Sequence, residues 1–135
     1  MGRRGLVSKA SQPLEKLERT ITARAANPTE KSYTSQLLAG GVAKIGAKIR
    51  EEAGEVVEAA SEPGEAGREH FVREVGDLVY HLLVLMRQQN CSLADLEAEL
   101  SRRFGVSGLE EKASRKKKRP AAKVRASRKT PKSKR

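Results

Sequence analysis

Aromatic residues and cysteine are scarce in this sequence, which has no tryptophan, two tyrosines, two phenylalanines and one cysteine, Cys91. A core must therefore be built from Leu, Ile, Val and Ala, which favours helices over a β-sandwich. A single cysteine excludes an internal disulfide and favours a cytoplasmic location. No apolar run approaches the roughly 18 residues of a membrane span, and the N-terminus lacks the apolar segment of a secretory signal. We therefore expect no membrane association.

Acidic residues are absent from the C-terminal end. Residues 112–135 contain thirteen Lys or Arg and no Asp or Glu, whereas the other 111 residues contain 15 basic and 17 acidic side chains. The net charge of +11 thus belongs to the tail. Because this composition cannot bury enough apolar area to offset the cost of ordering, we predict disorder over 114–135. The charge favours weak, non-specific contact with nucleic acid or a solubilising role.

Apolar residues in the remaining sequence recur with a helical period, and no segment alternates with period two. The pattern predicts an all-α domain over residues 11–113, preceded by a disordered segment over 1–10. The predicted helices cover 12–26, 33–39, 42–60, 68–89 and a shorter segment that begins after Ser92. We expect a fold similar to a four-helix bundle, in which the two long helices are antiparallel and the shorter helices pack around them.

Segments rich in glycine mark the ends of the long helices, and an apolar stripe marks the inner face of the second one. Gly40 and Gly41 separate the segment over 33–39 from the first long helix, and a loop over 61–67, rich in glycine and containing a proline, separates the two long helices. The predicted inward-facing residues of the second long helix are Phe71, Val75, Leu78, Leu82 and Leu85.

Acidic residues occur inside or beside both apolar stripes. Glu52 lies within the apolar stripe of the first long helix, three residues after Ile49 and four before Val56, and Glu55 lies at its edge, whereas Glu51 points farther away. On the second long helix, Glu74 and Asp77 flank the stripe and are three residues apart, so they share a face. A carboxylate inside an apolar stripe is costly unless a positive charge meets it. Antiparallel packing could therefore bring both acid pairs to one cation site.

Four carboxylates at one site, with no cysteine and few histidines near them, indicate a hard divalent cation such as Mg²⁺, with Mn²⁺ as an alternative. Magnesium held by carboxylates can bridge phosphate oxygens and lower the pKa of an attacking water. Lys48, one turn before Glu52, could add a positive charge beside a phosphate. The spacing therefore favours phosphate chemistry.

The same acid pairs admit a second interpretation, in which they belong to solvated helix faces. Lys44, Arg50 and Arg73 are close enough in sequence to pair with them. Exposed pairs of this kind are common and contribute little to stability. Spacing alone leaves the metal site and the solvated face open.

The acid pattern Glu51-Glu52-x-x-Glu55, followed after eighteen residues by Glu74-x-x-Asp77, resembles the metal motif of the all-α nucleoside triphosphate pyrophosphohydrolases. Longer stretches are similar to one family of that superfamily, the phosphoribosyl-ATP pyrophosphohydrolases of histidine biosynthesis. The stretches are Ser32-Tyr33-Thr34, Lys44-Ile45 through Glu55-Val56, Asp77-Leu78-x-Tyr80-His81-Leu82-Leu83-Val84-Leu85, and Ser107-Gly108-Leu109-x-Glu111-Lys112-Ala113-Ser114-Arg115. The resemblance covers about residues 12–115.

The resemblance implies a Mg²⁺-dependent homodimer that hydrolyses phosphoribosyl-ATP between its α- and β-phosphates, giving phosphoribosyl-AMP and pyrophosphate. It implies that the metal ligands are Glu52, Glu55, Glu74 and Asp77. Glu51 would act with Glu52 and Glu55 in catalysis, as a ligand of a second metal or as a base that orients water. The expected substrate contacts are Lys48, Tyr33, Lys112 and Arg115.

Two other functions remain open from the sequence. One is a house-cleaning pyrophosphatase of the same fold that acts on a free nucleoside triphosphate. The other is a helical dimer without catalysis that binds nucleic acid through its tail. The two histidines do not decide the matter, because we expect His81 to be a hydrogen-bonded packing residue and His70 to lie on the surface near a helix start.

Overall fold

The computed structural model describes residues 12–104, 108–110 and 112–116, and no strand occurs among them. The helices are α1 (Pro13–Ala26), α2 (Tyr33–Ala59), α3 (Gly64–Gln88) and α4 (Leu93–Arg103). Residues 108–110 and 112–116 are helical as well. The predicted all-α class is confirmed. Within the described chain, the helices are too short or too polar to cross a membrane.

Helices α2 and α3 form the antiparallel hairpin that the two long apolar stripes predict. Tyr33 at the start of α2 contacts His81 towards the end of α3, whereas Glu52 approaches Glu74 nearer the connecting loop. Helix α1 packs against both. Burial of one large aliphatic side chain contributes about 1.5–3 kcal/mol, so the shared core holds the three helices together. That core consists of Ile21, Leu37, Ile45, Leu83, Val84 and Leu93.

Helix α2 contains the interruption predicted at Gly40 and Gly41. The backbone of Gly41 has φ 73° and ψ −170°, in a region that favours glycine because it has no Cβ. The helix begins with a cap, since the Ser32 hydroxyl accepts a hydrogen bond from the Ser35 N–H at 3.1 Å. Because the backbone of Gly41 departs from helical dihedral angles, two helical stretches meet at a kink inside α2.

The connection between α2 and α3 is shorter than the predicted loop over 61–67, because α3 already begins at Gly64. Glu65 in the first turn stabilises this start through the helix dipole. Gly67 is buried inside α3, where an added Cβ would lie 2.4 Å from the carbonyl oxygen of Glu62. This glycine is therefore a site of close packing rather than a helix breaker.

The inner face of α3 differs from the predicted stripe near its C-terminal end. Leu82, predicted to face inward, is 41% exposed, whereas Leu83 and Val84 are buried. Helix α3 packs against α1 as well as α2, and Leu83 lines a small cavity together with Ile21 of α1. The contact with α1 thus buries a residue that the single-helix pattern had placed outside the stripe.

The chain divides into a compact unit that ends at Leu96 and a second unit that begins at Glu97. In the second unit, Glu99 pairs with Arg102 at 2.8 Å and with Arg103 at 3.0 Å. Hydrogen bonds from these arginines lower the pKa of Glu99 to about 2.

The helical residues 112–116 extend beyond the predicted boundary of the domain at residue 113. Residues 114–116, predicted as the start of the disordered tail, are helical, which agrees with the good helix propensity of Lys and Arg. The remainder of that tail, 117–135, and the segment 1–10 lie outside the described residues.

Candidate functional site

Three of the predicted acids come together where α2 and α3 pack. Glu52 and Glu55 of α2 and Glu74 of α3 each offer a carboxylate oxygen, and these three oxygens lie within 4.8 Å of one another. Glu52 is 7% exposed, so its position inside the apolar stripe corresponds to real burial. We call these three residues the acid cluster.

Two oxygens of the acid cluster are buried without a hydrogen-bond partner among the described residues, Oε1 of Glu52 and Oε1 of Glu74. Each carboxylate is held through its other oxygen. Lys48 Nζ lies 3.4 Å from Glu52 Oε2, and His70 Nε2 lies 3.1 Å from Glu74 Oε2. Buried charged oxygens without partners are costly, and a set of carboxylate oxygens suits Mg²⁺ or Mn²⁺. The residues present therefore fit a hard divalent cation.

The acid cluster also changes the proton affinity of its members. The pKa of Glu55 is raised, first by the close approach of the Glu74 carboxyl, then by desolvation and by the negative charge of Glu52. A bound cation would oppose this shift because it favours the ionised carboxylates. The cluster thus carries more negative charge than its protein neighbours compensate.

Two further predicted acids lie outside the acid cluster. Asp77 is exposed on α3, and its backbone carbonyl accepts a hydrogen bond from His81 Nδ1 at 2.8 Å. The Glu51 side chain is 52% exposed and pairs with Lys48 at 3.2 Å. The metal role of Asp77 and the catalytic role of Glu51 stay predictions.

Lys48 provides a positive charge at the rim of the acid cluster. Its pKa is raised, first by the hydrogen bond with Glu51, which outweighs desolvation, and then by the one with Glu52. The ammonium group also acts on the phenol of Tyr33: burial raises the pKa of Tyr33, and Lys48 opposes this increase. The two predicted substrate residues of α2 therefore lie on the same side of the hairpin.

Tyr33 belongs to a group of aromatic and hydroxyl side chains farther from the loop. His81 donates through Nδ1 to the carbonyl of Asp77 at 2.8 Å, and its Nε2 forms a hydrogen bond with the Tyr33 hydroxyl, 3.1 Å away. The Tyr33 ring stacks on Tyr80 at a centroid distance of 6.2 Å, and the Tyr80 hydroxyl bonds to Thr34. His81 is 5% exposed, as expected of a packing residue. These contacts fix Tyr33 at the edge of the site.

The structure identifies a site residue that the sequence reasoning missed, His70. Its side chain is 35% exposed, in line with the predicted surface position, and its ring also connects Glu62 of the loop to Glu74 of the acid cluster. The pKa of His70 is raised, first by its hydrogen bond with Glu62. The i,i+4 spacing of His70 and Glu74 was a usable signal, whereas the contact with Glu62 depends on the loop.

A cavity away from the acid cluster lies elsewhere in the first unit. It has a volume of about 580 Å³ and is lined by residues such as Arg24, Leu38 and Arg87, with no acidic side chain. A volume of this size could hold a small molecule, but its lining offers no carboxylate ligands for a cation. The acid cluster is therefore the better candidate for chemistry.

Lys112 and Arg115, predicted to contact substrate, lie in the second unit. The Lys112 side chain is exposed, as is that of Arg115. Their role as substrate contacts stays a prediction.

Comparison with known proteins points to one family. The family model for phosphoribosyl-ATP pyrophosphohydrolase matches residues 14–104. The phosphoribosyl-ATP pyrophosphatase of Rhodopirellula baltica is 55% identical over 103 residues, which covers 76% of this chain and 86% of that protein. The phosphoribosyl-ATP pyrophosphatases of Paracoccus denitrificans and Geotalea daltonii are each 46% identical over 103 residues, covering 76% of this chain and 93% of each relative. The matched segment contains the acid cluster and Asp77, whereas Lys112 and Arg115 follow it.

Proposed function

The chain belongs to the phosphoribosyl-ATP pyrophosphohydrolase family, and we propose that it hydrolyses phosphoribosyl-ATP to phosphoribosyl-AMP and pyrophosphate, with Mg²⁺, in histidine biosynthesis. The oxygen of a water molecule forms a bond to one of the two phosphorus atoms. The bond between that phosphorus and the oxygen that bridges the α- and β-phosphates breaks, and pyrophosphate leaves. The observation that carries the proposal is the acid cluster, in which two buried carboxylate oxygens have no partner among the described residues.

The cation would be held by Glu52, Glu55 and Glu74, with Asp77 as a further ligand and Mn²⁺ as an alternative ion. When bound, Mg²⁺ supplies charge neutralisation to the phosphates and lowers the pKa of water. This chemistry suits pyrophosphate release, because phosphoryl chemistry depends more on positioning and charge than on a protein nucleophile.

The chain's own side chains supply the remaining functions. Lys48 places a positive charge beside Glu51 and Glu52, where it can bind a phosphate oxygen. Glu51, half exposed at the rim, can accept a proton from the attacking water. Tyr33, 47% exposed and held by His81, offers a hydroxyl and an aromatic face to the substrate.

Lys112 and Arg115 are proposed as further phosphate contacts, because they follow the pattern of the family at the end of the resemblance. Their guanidinium and ammonium groups suit phosphate oxygens.

We propose that the active form is a homodimer in the cytoplasm. Several apolar side chains of α2 and α3 stay exposed, among them Val42 at 52%, Val57 at 71% and Val72 at 55%. A second copy of the chain could cover such residues. The tail from residue 116 would remain outside the reaction and provide weak, salt-dependent contact with nucleic acid.

The test is pyrophosphate release by the full chain from phosphoribosyl-ATP, compared with dUTP and dCTP, with Mg²⁺ and with a chelator. We expect release from phosphoribosyl-ATP in Mg²⁺ and none after chelation. Faster release from dUTP or dCTP would identify a house-cleaning pyrophosphatase instead. Absence of release from every nucleotide would contradict catalysis and leave the helical dimer that binds nucleic acid.

A further inference from the structure

We propose that Glu62 and His70 form a positioning pair that determines which oxygen of Glu74 is available to the cation. The inference rests on the proposed metal site and adds two residues to it. Neither residue would touch the cation or the substrate. Their effect would act through the Glu74 carboxylate.

The ring of His70 lies between two carboxylates. Its Nε2 is 3.1 Å from Glu74 Oε2, and its Nδ1 is 2.9 Å and 3.1 Å from the two oxygens of Glu62. Because an ionised carboxylate can only accept, the ring donates through both nitrogens. One oxygen of Glu74 is thereby occupied, and the other, Oε1, lies buried with no partner in the part of the chain that the structure describes.

The loop places Glu62 where it can hold this ring. The backbone N–H of Glu62 donates to the carbonyl of Ala59 at 3.1 Å, which continues the turn at the end of α2. Gly67 packs so closely that an added Cβ would overlap the backbone of Glu62. A shift of the loop away from α3 would therefore lose the close packing of Glu62 against Gly67, which keeps the Glu62 carboxylate beside His70.

The same arrangement recurs on α2. There Lys48 pairs with Oε2 of Glu52 at 3.4 Å, and Oε1 of Glu52 is buried with no partner within residues 12–104, 108–110 and 112–116. In both helices a basic side chain one turn earlier binds one carboxylate oxygen and leaves the other to the acid cluster. Partners that orient ligand side chains commonly change metal affinity by 10- to 100-fold when they are lost, which sets the expected size of the effect.

The test compares variants of the full chain in their affinity for Mn²⁺, measured on metal-free protein by electron paramagnetic resonance. We expect His70→Ala to weaken Mn²⁺ binding about 10- to 100-fold, and His70→Gln to lose less, because its amide retains a donor. Glu62→Gln should weaken binding on its own but cause no further loss when combined with His70→Ala. Glu65→Gln is the matched control, since its side chain is 74% exposed and lies 3.7 Å from Arg68.

Several outcomes would overturn the inference. Unchanged Mn²⁺ affinity in Glu62→Gln, or in a folded His70→Ala variant, would show that the pair does not position Glu74 and would leave the proposed function intact. If Glu65→Gln and Glu62→Gln lost the same amount of Mn²⁺ affinity, the loss would be due to net charge alone. Absence of Mn²⁺ binding by the unsubstituted chain would overturn the inference and the proposed metal site together.

Discussion

The α2–α3 hairpin has two polar regions, which differ in whether their buried polar groups have hydrogen-bond partners. The acid cluster near the loop leaves two buried carboxylate oxygens without a partner among the described residues. The second region, which we call the aromatic cluster, pairs its polar groups with one another or with the backbone. It consists of Tyr33, Thr34, Tyr80 and His81.

This difference distinguishes a structural region from a region that needs a ligand. Buried polar groups in folded proteins are normally hydrogen-bonded, and the aromatic cluster follows this rule. The acid cluster departs from it at positions where the neighbouring Glu74 carboxyl, desolvation and the charge of Glu52 raise the pKa of Glu55. We interpret the unpartnered carboxylate oxygens as a loss of stability that the protein tolerates in order to bind a cation. Functional sites are the places where buried polar groups most often lack the usual partners.

The largest expected effect comes from removing one charge of the acid cluster. Glu52→Gln should lower the rate of pyrophosphate release at least about 100-fold, because a bound metal contributes several kcal/mol to transition-state stabilisation. The thermal midpoint of the metal-free protein should not fall, since the substitution relieves repulsion. Glu69→Gln on the exposed face of α3 is the control and should retain full activity. An active Glu52→Gln variant would refute the ligand assignment.

The second prediction concerns pH. A raised pKa of Glu55 means that the folded, metal-free protein binds this proton more tightly than the unfolded chain does. Stability should therefore fall as the pH rises from the ordinary value of 4.5 through the raised pKa. Glu55→Gln should remove this fall, as measured by thermal midpoints across pH in chelator. If the thermal midpoints of the two proteins changed with pH in the same way, a raised pKa of Glu55 would be contradicted.

A smaller effect is expected in the aromatic cluster. Thr34→Val removes the hydroxyl that bonds to Tyr80 and keeps the side-chain shape, so the free energy of unfolding should fall by about 1 kcal/mol. The affinity for Mn²⁺ should stay the same, because the cluster has no part in cation binding. Denaturant unfolding and metal titration measure the two quantities. A change in metal affinity would show that the two clusters are coupled.

The smallest effect is expected from the tail. Deletion of residues 116–135 should leave the rate of pyrophosphate release unchanged, because the resemblance to the family ends at Arg115, before the deleted residues. A large loss of activity would assign the tail to the site.

The helical period of the apolar residues predicted those features that are determined within a single helix. Glu52 falls inside an apolar stripe by spacing alone, and its burial follows from the hairpin. The break at Gly41 was predictable because glycine tolerates a positive φ. The family of the chain was also predictable, because long stretches of α2 and α3 carry recognisable motifs.

Other features depend on tertiary contacts that no single-helix pattern contains. The burial of Leu83 rather than Leu82 follows from the position of α1. The bridging role of His70 depends on Glu62, which reaches the ring because Gly67 allows the loop to pack closely. The sequence therefore predicted the residues of the acid cluster better than the contact between His70 and Glu62 beside it.

The central claim is that the acid cluster is completed by a divalent cation, and thermal unfolding with and without Mg²⁺ tests it directly. We predict that Mg²⁺ raises the thermal midpoint of the full chain, with a stabilisation of about 2.7 kcal/mol at a concentration 100 times the dissociation constant. Glu52→Gln should show little of this shift, and Glu69→Gln should show all of it. An absent shift, or one of equal size in Glu52→Gln, would contradict the claim.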